Sequence, residues 1–507
     1  MNPSKPPTGK APAMPFVSSA GARAPRRGAA ASFLVLFFVG SALSLVGASS
    51  ASAAGVRTLY AYGGGGATSP TSCPKTTTAS EKCTLAEALA LSVAGSTVAL
   101  ATPGSKGHYI GNWTVSTRAF SASAPVTLKP APGVADPTLD GNQGKATNCQ
   151  TKTCDGPVLT LASGVHMDLD GVTLQGADNT GRGGAIDNGG GGTLSVSACR
   201  FSDNRAVDGG AIDNGDRGGG VLTVSASTFS GNTAGRDGGA IANADRGSGG
   251  LTVSASKFSG NKATDGGAVD NGDSGSGGLT VSASTFSGNT AASDGGAIDN
   301  GDRGSGTLSV LISTFSRNTA SDGGAINNAG NQGKGSLSVS ASTFSGNMAS
   351  HDGGAIDNGD NGSGSLSLWA STLSGNVANH DGGAIDNGDN GGTSVTSVAA
   401  DIFNGSCDRP AGTWNDGGHN VGSNQTCLNA GTGDVGQGAA QLGPLADNGG
   451  PTKTIMSLQG NPAVGVIPYE TTTLLNGSTV KLCPTTDQRG VHSAAGRPCN
   501  AGATQSP

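Results

Sequence analysis

Residues 294–304 read DGGAIDNGDRG, and almost the same words stand at 208–218. The first glycine of each GGA(I/V) phrase falls at 183, 209, 238, 266, 295, 323, 353 and 382, so the unit returns every 26 to 30 residues. Between the phrases runs a second segment, as in VLTVSASTFSGNTA at 221–234, where Leu222, Val224 and Ala226 alternate with Thr223 and Ser225 ahead of Phe229. Alternation at period two is the mark of a strand with one buried face. The spacing predicts three short extended segments per unit, around GGAIDN, LTVSAS and TFSGNTA, separated by turn-forming Gly, Asp and Ser.

A unit of this length with no helical period cannot bury its apolar face alone, so successive units must stack, each strand pairing in parallel with its copy ~4.8 Å away. The class that follows is all-β, a right-handed parallel β-helix. Stacking requires like residues to form files, and they do. One apolar file is Ile186, Ile212, Ile241, Val269, Ile298, Ile326, Ile356 and Ile385; another is Phe201, Phe229, Phe258, Phe286, Phe315, Phe344, Leu373 and Phe403. Two asparagine files accompany them: Asn188, Asn214, Asn243, Asn271, Asn300, Asn328, Asn358 and Asn387, and Asn204, Asn232, Asn261, Asn289, Asn318, Asn347 and Asn376. An amide both donates and accepts, so stacked Asn side chains can satisfy one another; both files read as structural.

Composition agrees. The 89 glycines far exceed the usual share of about 7%, whereas aromatic residues (4%) and charged residues (13%) are scarce for a globular core. A net charge of -6 and the lack of a basic run beyond the N-terminus argue against a nucleic-acid partner. At the start, Arg23, Arg26 and Arg27 precede the apolar stretch AAASFLVLFFVGSALSLVG and a small-residue Ala51–Ala53 cleavage site, the layout of an export signal. Membrane contact is expected only through that signal, with Sec and Tat export both open. Eight of the nine cysteines fall into close pairs, Cys73 with Cys83, Cys149 with Cys154, Cys407 with Cys427 and Cys483 with Cys499, as expected of disulfides in an oxidising compartment. Cys199 is left over, in the place where later units have Ser227, Ser256 and Ser284, and reads as a small inert residue.

The paired GGAI and FSGN tetrapeptides over 183–403 resemble the polymorphic outer-membrane-protein (chlamydial type) repeats. CTLAEALALSVAGSTVAL, opened by Cys83 with Glu87 in the acidic place, resembles the cap helix and first strand of CSLREA-type bacterial β-helix proteins, with Thr84 and Ala86 where Ser and Arg are commoner. LGPLADNGGPTKT, NPAVGVI and TDQRG resemble the choice-of-anchor Q domain, although the chain ends CNAGATQSP in place of the usual Cys-Asp-Ile-Gly-Ala run. These resemblances imply a pectin-lyase-like solenoid on an exported bacterial protein. The expected organisation is a signal peptide at 1–53, an N-terminal cap with a short helix and irregular coils at 54–182, eight regular coils at 183–403, and a disulfide-stapled C-terminal cap at 404–507.

Chemistry has one conspicuous candidate. Asp208, Asp237, Asp265, Asp294, Asp322, Asp352 and Asp381 precede the glycines, and further acids stand at Asp187, Asp213, Asp270, Asp299, Asp357 and Asp386 and at Asp216, Asp245, Asp273, Asp302, Asp360 and Asp389. Stacked like charges repel by roughly 1 kcal/mol in water and more in a poorer dielectric. Two readings stay open: solvated turn carboxylates bonded to local backbone amides, which is favoured, and a calcium site on Asp294, Asp322, Asp352 and Asp381. His351 and His380 sit in adjacent coils beside Asp352 and Asp381 and are expected to be exposed loop residues rather than metal ligands. Thr223/Ser225, Thr252/Ser254 and Thr280/Ser282 make outward hydroxyl rows, interrupted at Leu311 and Trp369, the latter able to stack on a sugar.

An active site should break the repeat at one place, whereas the aspartates recur in every coil. The expected function is therefore non-catalytic: a monomeric, exported, cell-surface or extracellular protein that acts in adhesion or binds a glycan or host-cell ligand, with no cofactor other than calcium. The alternative is a polysaccharide lyase or glycoside hydrolase, an analogy from fold alone.

Overall fold

The computed structural model describes residues 57–63, 72–75, 81–102, 104, 108–116, 124–142, 155–215, 218–388, 392–436 and 440–505. The export signal expected at 1–53, the Cys149 and Cys154 pair, Asp216 and Asp389 lie outside the described residues.

The chain is a parallel β-helix whose coils contribute to four sheets. A long sheet takes one strand from each coil, beginning at Thr58–Ala61 and ending at Thr413–Asp416. A second carries the Phe file, a third the Ile file, and a fourth is built of two-residue strands. Pairing between repeats is parallel and in register: Leu222 faces Leu251, Phe229 faces Phe258, Ile212 faces Ile241. The side chains therefore lie in vertical files, as the repeat spacing requires. From Phe201 to Phe344 the rings stack with centroids 4.6 to 4.9 Å apart and planes within 5° of parallel. Each of these rings is fully buried, worth about 1.5 to 3 kcal/mol of transfer free energy apiece.

The expected three segments per unit are four. TFSGNTA breaks into Thr228–Ser230 and Thr233–Ala234 because Gly231 turns left-handed (φ +65°) and sends Asn232 inward. There Asn232 Oδ1 accepts from Asn204 N and Nδ2, while its own Nδ2 donates to Phe201 O and Asn261 Oδ1. The other file works along the Ile sheet, with Asn214 Nδ2 donating to Asn243 Oδ1 at 2.7 Å, Asn271 to Asn300 at 2.8 Å and Asn328 to Asn358 at 2.7 Å. Both asparagine files are buried throughout the repeats.

Ala226 departs from its expected inward place. Its φ is +48° and it is exposed, so the alternation ends at Ser225 and Ser227 turns in instead. Ser227 Oγ accepts from Cys199 N at 3.1 Å and donates to Ser225 O at 2.8 Å. This serine file continues through Ser256, Ser284, Ser313, Ser342 and Ser371 to Asp401, and Cys199 stands at its head as a free, buried thiol. Burial pushes the Cys199 thiol up to about 12, which keeps it protonated and unreactive.

At the N-terminal end the helix Leu85–Leu91 buries Leu85, Ala88 and Leu89 in the core. Thr84 and Glu87 form a reciprocal capping box, Glu87 N donating to Thr84 Oγ1 and Thr84 N to Glu87 Oε2. Among the described residues the expected disulfides Cys73–Cys83, Cys407–Cys427 and Cys483–Cys499 are present.

Residues 404–505 do two things rather than the single capping role expected. Strands Thr413–Asp416 and Val421–Gly422 extend the long and Phe sheets by one more coil, held by Cys407–Cys427. The remainder, with antiparallel hairpins at 442–457 and 472–481, folds back along the flank of the repeats. Thr314 Oγ1 donates to Lys453 O, Thr343 Oγ1 to Gln488 Oε1, and Asn476 Nδ2 to Leu366 O. Trp369 packs half-buried against this module, which removes it as a free platform for a sugar.

Candidate functional site

In each IDN strand the Ile and Asn point into the coil and the Asp points out. Outward does not mean solvated here. The DGG turn before the strand and the NGD turn after it fold over the outer face, so Asp213, Asp270, Asp299, Asp357 and Asp386 are at most 1% exposed. They form the floor of a closed cleft. One wall is the file from Asp208 to Asp381, in which Asp237, Asp294 and Asp352 are also buried, Asp322 is half-buried and Asp381 is exposed. The other wall carries the buried Asp245, Asp273 and Asp302. Asn331 spans the two walls, its Nδ2 lying 3.3 Å from Asp294 Oδ2 and 2.6 Å from Asp302 Oδ1. The turn lies so close to its own strand that a Cβ on Gly295, already at φ +63°, would stand 2.2 Å from Ile298 O. Glycine is required there on both counts.

The expectation of solvated turn carboxylates is thereby corrected. Within the first wall the carboxylates do bond backbone amides, but of the next coil: Asp352 N donates to Asp322 Oδ1 and Asp381 N to Asp352 Oδ1. On the floor neither oxygen of Asp213, Asp270, Asp299 or Asp357 has a hydrogen-bond partner. Burial, and then the neighbouring carboxylates, raise these groups: Asp213 to about 8, and Asp270, Asp299 and Asp357 well above the usual range. The same causes take Asp294 to about 8, Asp237 to about 7 and Asp265 to about 6.

Positive charge reaches the cleft unevenly. At its N-terminal end Arg182 bonds Asp208 (3.1 Å) and Asp245 (3.4 Å), and Arg236 also bonds Asp208. Asp208, Asp237 and Asp245 there bring one oxygen each within 4.8 Å of one another. Further on, Arg303 bonds Asp273 and Asp302 from the exposed rim. Of the four calcium candidates, Asp322 and Asp352 lie together with His351, whose Nδ1 is 3.7 Å from Asp322 Oδ1; Asp294 and Asp381 lie on the same wall in the coils before and after. His351 and His380 stack at 4.6 Å and are both exposed, as expected.

A second feature is a groove of about 800 Å³ between the outer face of the Phe sheet and the C-terminal module. Its sheet side offers Thr285, Ser287, Ser316 and Ser345 with Lys257 and Arg317; its module side offers Pro444, Asp447 and Lys453. Hydroxyls in rows one coil apart, with cations among them, can hydrogen-bond and charge-pair an extended anionic chain.

Residues 226–244, 283–301 and 341–359, each running from the left-handed Ala after the long strand to the residue after an Ile-x-Asn strand, match the Chlamydia polymorphic membrane protein (Chlamydia_PMP) repeat. These three stretches are what the chain shares with that repeat family. No curated protein matches the chain in sequence. Among solved structures, the complex of XylC with xylose superposes with a TM-score of 0.43 at 9% identity, over 88% of this chain and 98% of that one. A rhamnogalacturonan lyase superposes with a TM-score of 0.42 at 12% identity, over 80% and 96%.

In the repeats of this chain the apolar, asparagine and serine files were visible as recurring letters. The groove was not, because half of its lining comes from 444–453, far along the chain from the strands it faces. A signal for the cleft did exist: the glycine pair before each strand, and the GSG triplets at 247–249, 275–277, 304–306 and 362–364, mark turns packed too tightly for side chains.

Proposed function

We propose that the protein is an exported, surface-displayed or extracellular scaffold that binds an acidic polysaccharide without converting it, a role in adhesion. The observation that carries this is the groove: Lys257, Arg317 and Lys453 stand among the hydroxyls of Thr285, Ser287, Ser316 and Ser345, a lining suited to carboxylates and sugar hydroxyls at once. Three disulfides suit a location outside the cytoplasm. Carboxyl groups with raised pKa values are the usual general acids of glycan chemistry, but the floor carboxylates are covered by their own turns and cannot touch a glycosidic oxygen of a polymer.

Calorimetric titration with polygalacturonate and with a neutral glucan tests this. Binding of the acidic polymer alone, weakened at least tenfold by the double substitution Lys257→Glu and Arg317→Glu, with polymer length unchanged after prolonged incubation, is the expected result. Shortened polymer or newly formed unsaturated uronate ends would make the protein an enzyme.

A further inference from the structure

The acidic cleft carries an inference independent of the groove. Floor residues Asp270, Asp299 and Asp357 are fully buried, and none of their carboxylate oxygens meets a donor. Between the last two the file continues with Asn327, 1% exposed, whose Oδ1 and Nδ2 also lack partners. Each acid is surrounded by more of its kind. Asp299 is opposed by Asp302, Asp270, Asp294 and Asp265, and Asp270 by Asp237, Asp273, Asp265 and Asp245. Where arginine reaches the cleft, at Asp208 and Asp245, the charge is already matched. Beyond the reach of Arg182 and Arg236 it is not: Arg303 pairs only with Asp273 and Asp302, leaving the floor untouched.

Buried acceptor oxygens that meet no donor ask for a proton or a cation. We infer that the cleft binds divalent cations of the calcium class on its floor, between Asp270 and Asp299, which face each other in adjacent coils. Calcium suits it better than magnesium: it tolerates irregular sets of carboxylate and carbonyl oxygens, whereas magnesium demands a near-octahedral shell and retains its waters. The ion takes the place in these coils that arginine guanidinium takes nearer the N-terminus. It links successive coils by sharing carboxylates between them, and so stiffens the solenoid along its axis.

The test is to dialyse the full disulfide-bonded protein against chelator, then against micromolar to millimolar CaCl₂, and to measure bound calcium by elemental analysis and the melting midpoint. Bound calcium that survives dialysis, and a midpoint rising by about 3 °C for each site saturated at a hundredfold its Kd, are expected. Magnesium at the same concentration should do less. The double variant Asp270→Asn and Asp299→Asn should melt higher than the wild type in chelator, lose stoichiometric calcium and lose the calcium-dependent rise; rescue of the chelator midpoint shows that it folds. No retained calcium and an unchanged wild-type midpoint would overturn the inference, as would a variant that keeps the full calcium response. Neither result bears on polysaccharide binding, whose residues lie on the Phe sheet and the C-terminal module.

Discussion

Asn300 and Asp299 are neighbours in one strand, both buried, on opposite faces of it, and both members of files that run from coil to coil. The asparagine file closes on itself, each Nδ2 reaching the next Oδ1 at 2.7 to 2.9 Å. The aspartate file cannot close, because a carboxylate only accepts. A file of amides is thus complete within the polypeptide except at its first member, where Asn188 Oδ1 is left unpaired because Leu161 stands before it. A file of carboxylates needs protons or cations from outside. Equal burial and equal periodicity give stability on one face of the strand and a demand for a partner on the other.

The comparison breaks most directly at the asparagines. Asn261→Leu deprives Asn232 Nδ2, Asn232 N and Phe229 O of their Asn261 partners and leaves Asn289 Oδ1 only the backbone N of residue 261 as donor. At about 1 to 3 kcal/mol for each orphaned buried group, a loss of roughly 4 kcal/mol or more is expected in chemical denaturation. Phe258→Ala, which removes a ring between Phe229 and Phe286, should cost about 3 to 5 kcal/mol and serves as the apolar reference.

The same substitution logic changes sign in the cleft. Asp299→Asn removes a buried carboxyl whose oxygens meet no donor and whose ionisation its acidic neighbours oppose, and should stabilise the chelated protein by about 1 to 3 kcal/mol. An Asp299→Asn variant less stable than the wild type under chelator would show that the carboxylate is satisfied and that the two faces do not differ as described.

The pH dependence follows from the raised carboxyls. Asp237, Asp294 and Asp213 hold their protons up to about 7 to 8 in the folded protein and lose them near the ordinary aspartate value of ~4 when unfolded. Folded protein binds more protons than unfolded over that window, so their contribution is full below pH ~4 and is lost as pH rises through about 8. Melting in chelator should show the midpoint falling over this range, and saturating calcium should flatten the fall. Smallest of all, Lys257→Glu alone should change stability by less than about 0.5 kcal/mol, since the side chain is exposed, while lowering affinity for the acidic polymer.

Much of this was legible in the letters. Phe229 over Phe258, Ile212 over Ile241 and Asn232 over Asn261 follow from equal spacing, because a solenoid places residue i beside residue i plus one repeat. The sequence reading took Asp213 for a solvated turn carboxylate. It failed on exposure, because whether an outward side chain meets water depends on what the flanking turns do, and those are read by glycine geometry rather than by period. Ala226 was misplaced for a related reason: strand alternation runs on in the letters LTVSA, but a left-handed residue ends it in space.

The order of the repeats, their register, and which side chains form the apolar and amide files were determined by sequence alone, since each coil templates the next through purely local periodicity. The depth of the aspartate cleft, the reach of Arg182 and Arg236 into one end of it, and the groove under the returning C-terminal module were decided only by tertiary structure. They depend on contacts between segments that share no period, and no repeat carries information about what will fold across it.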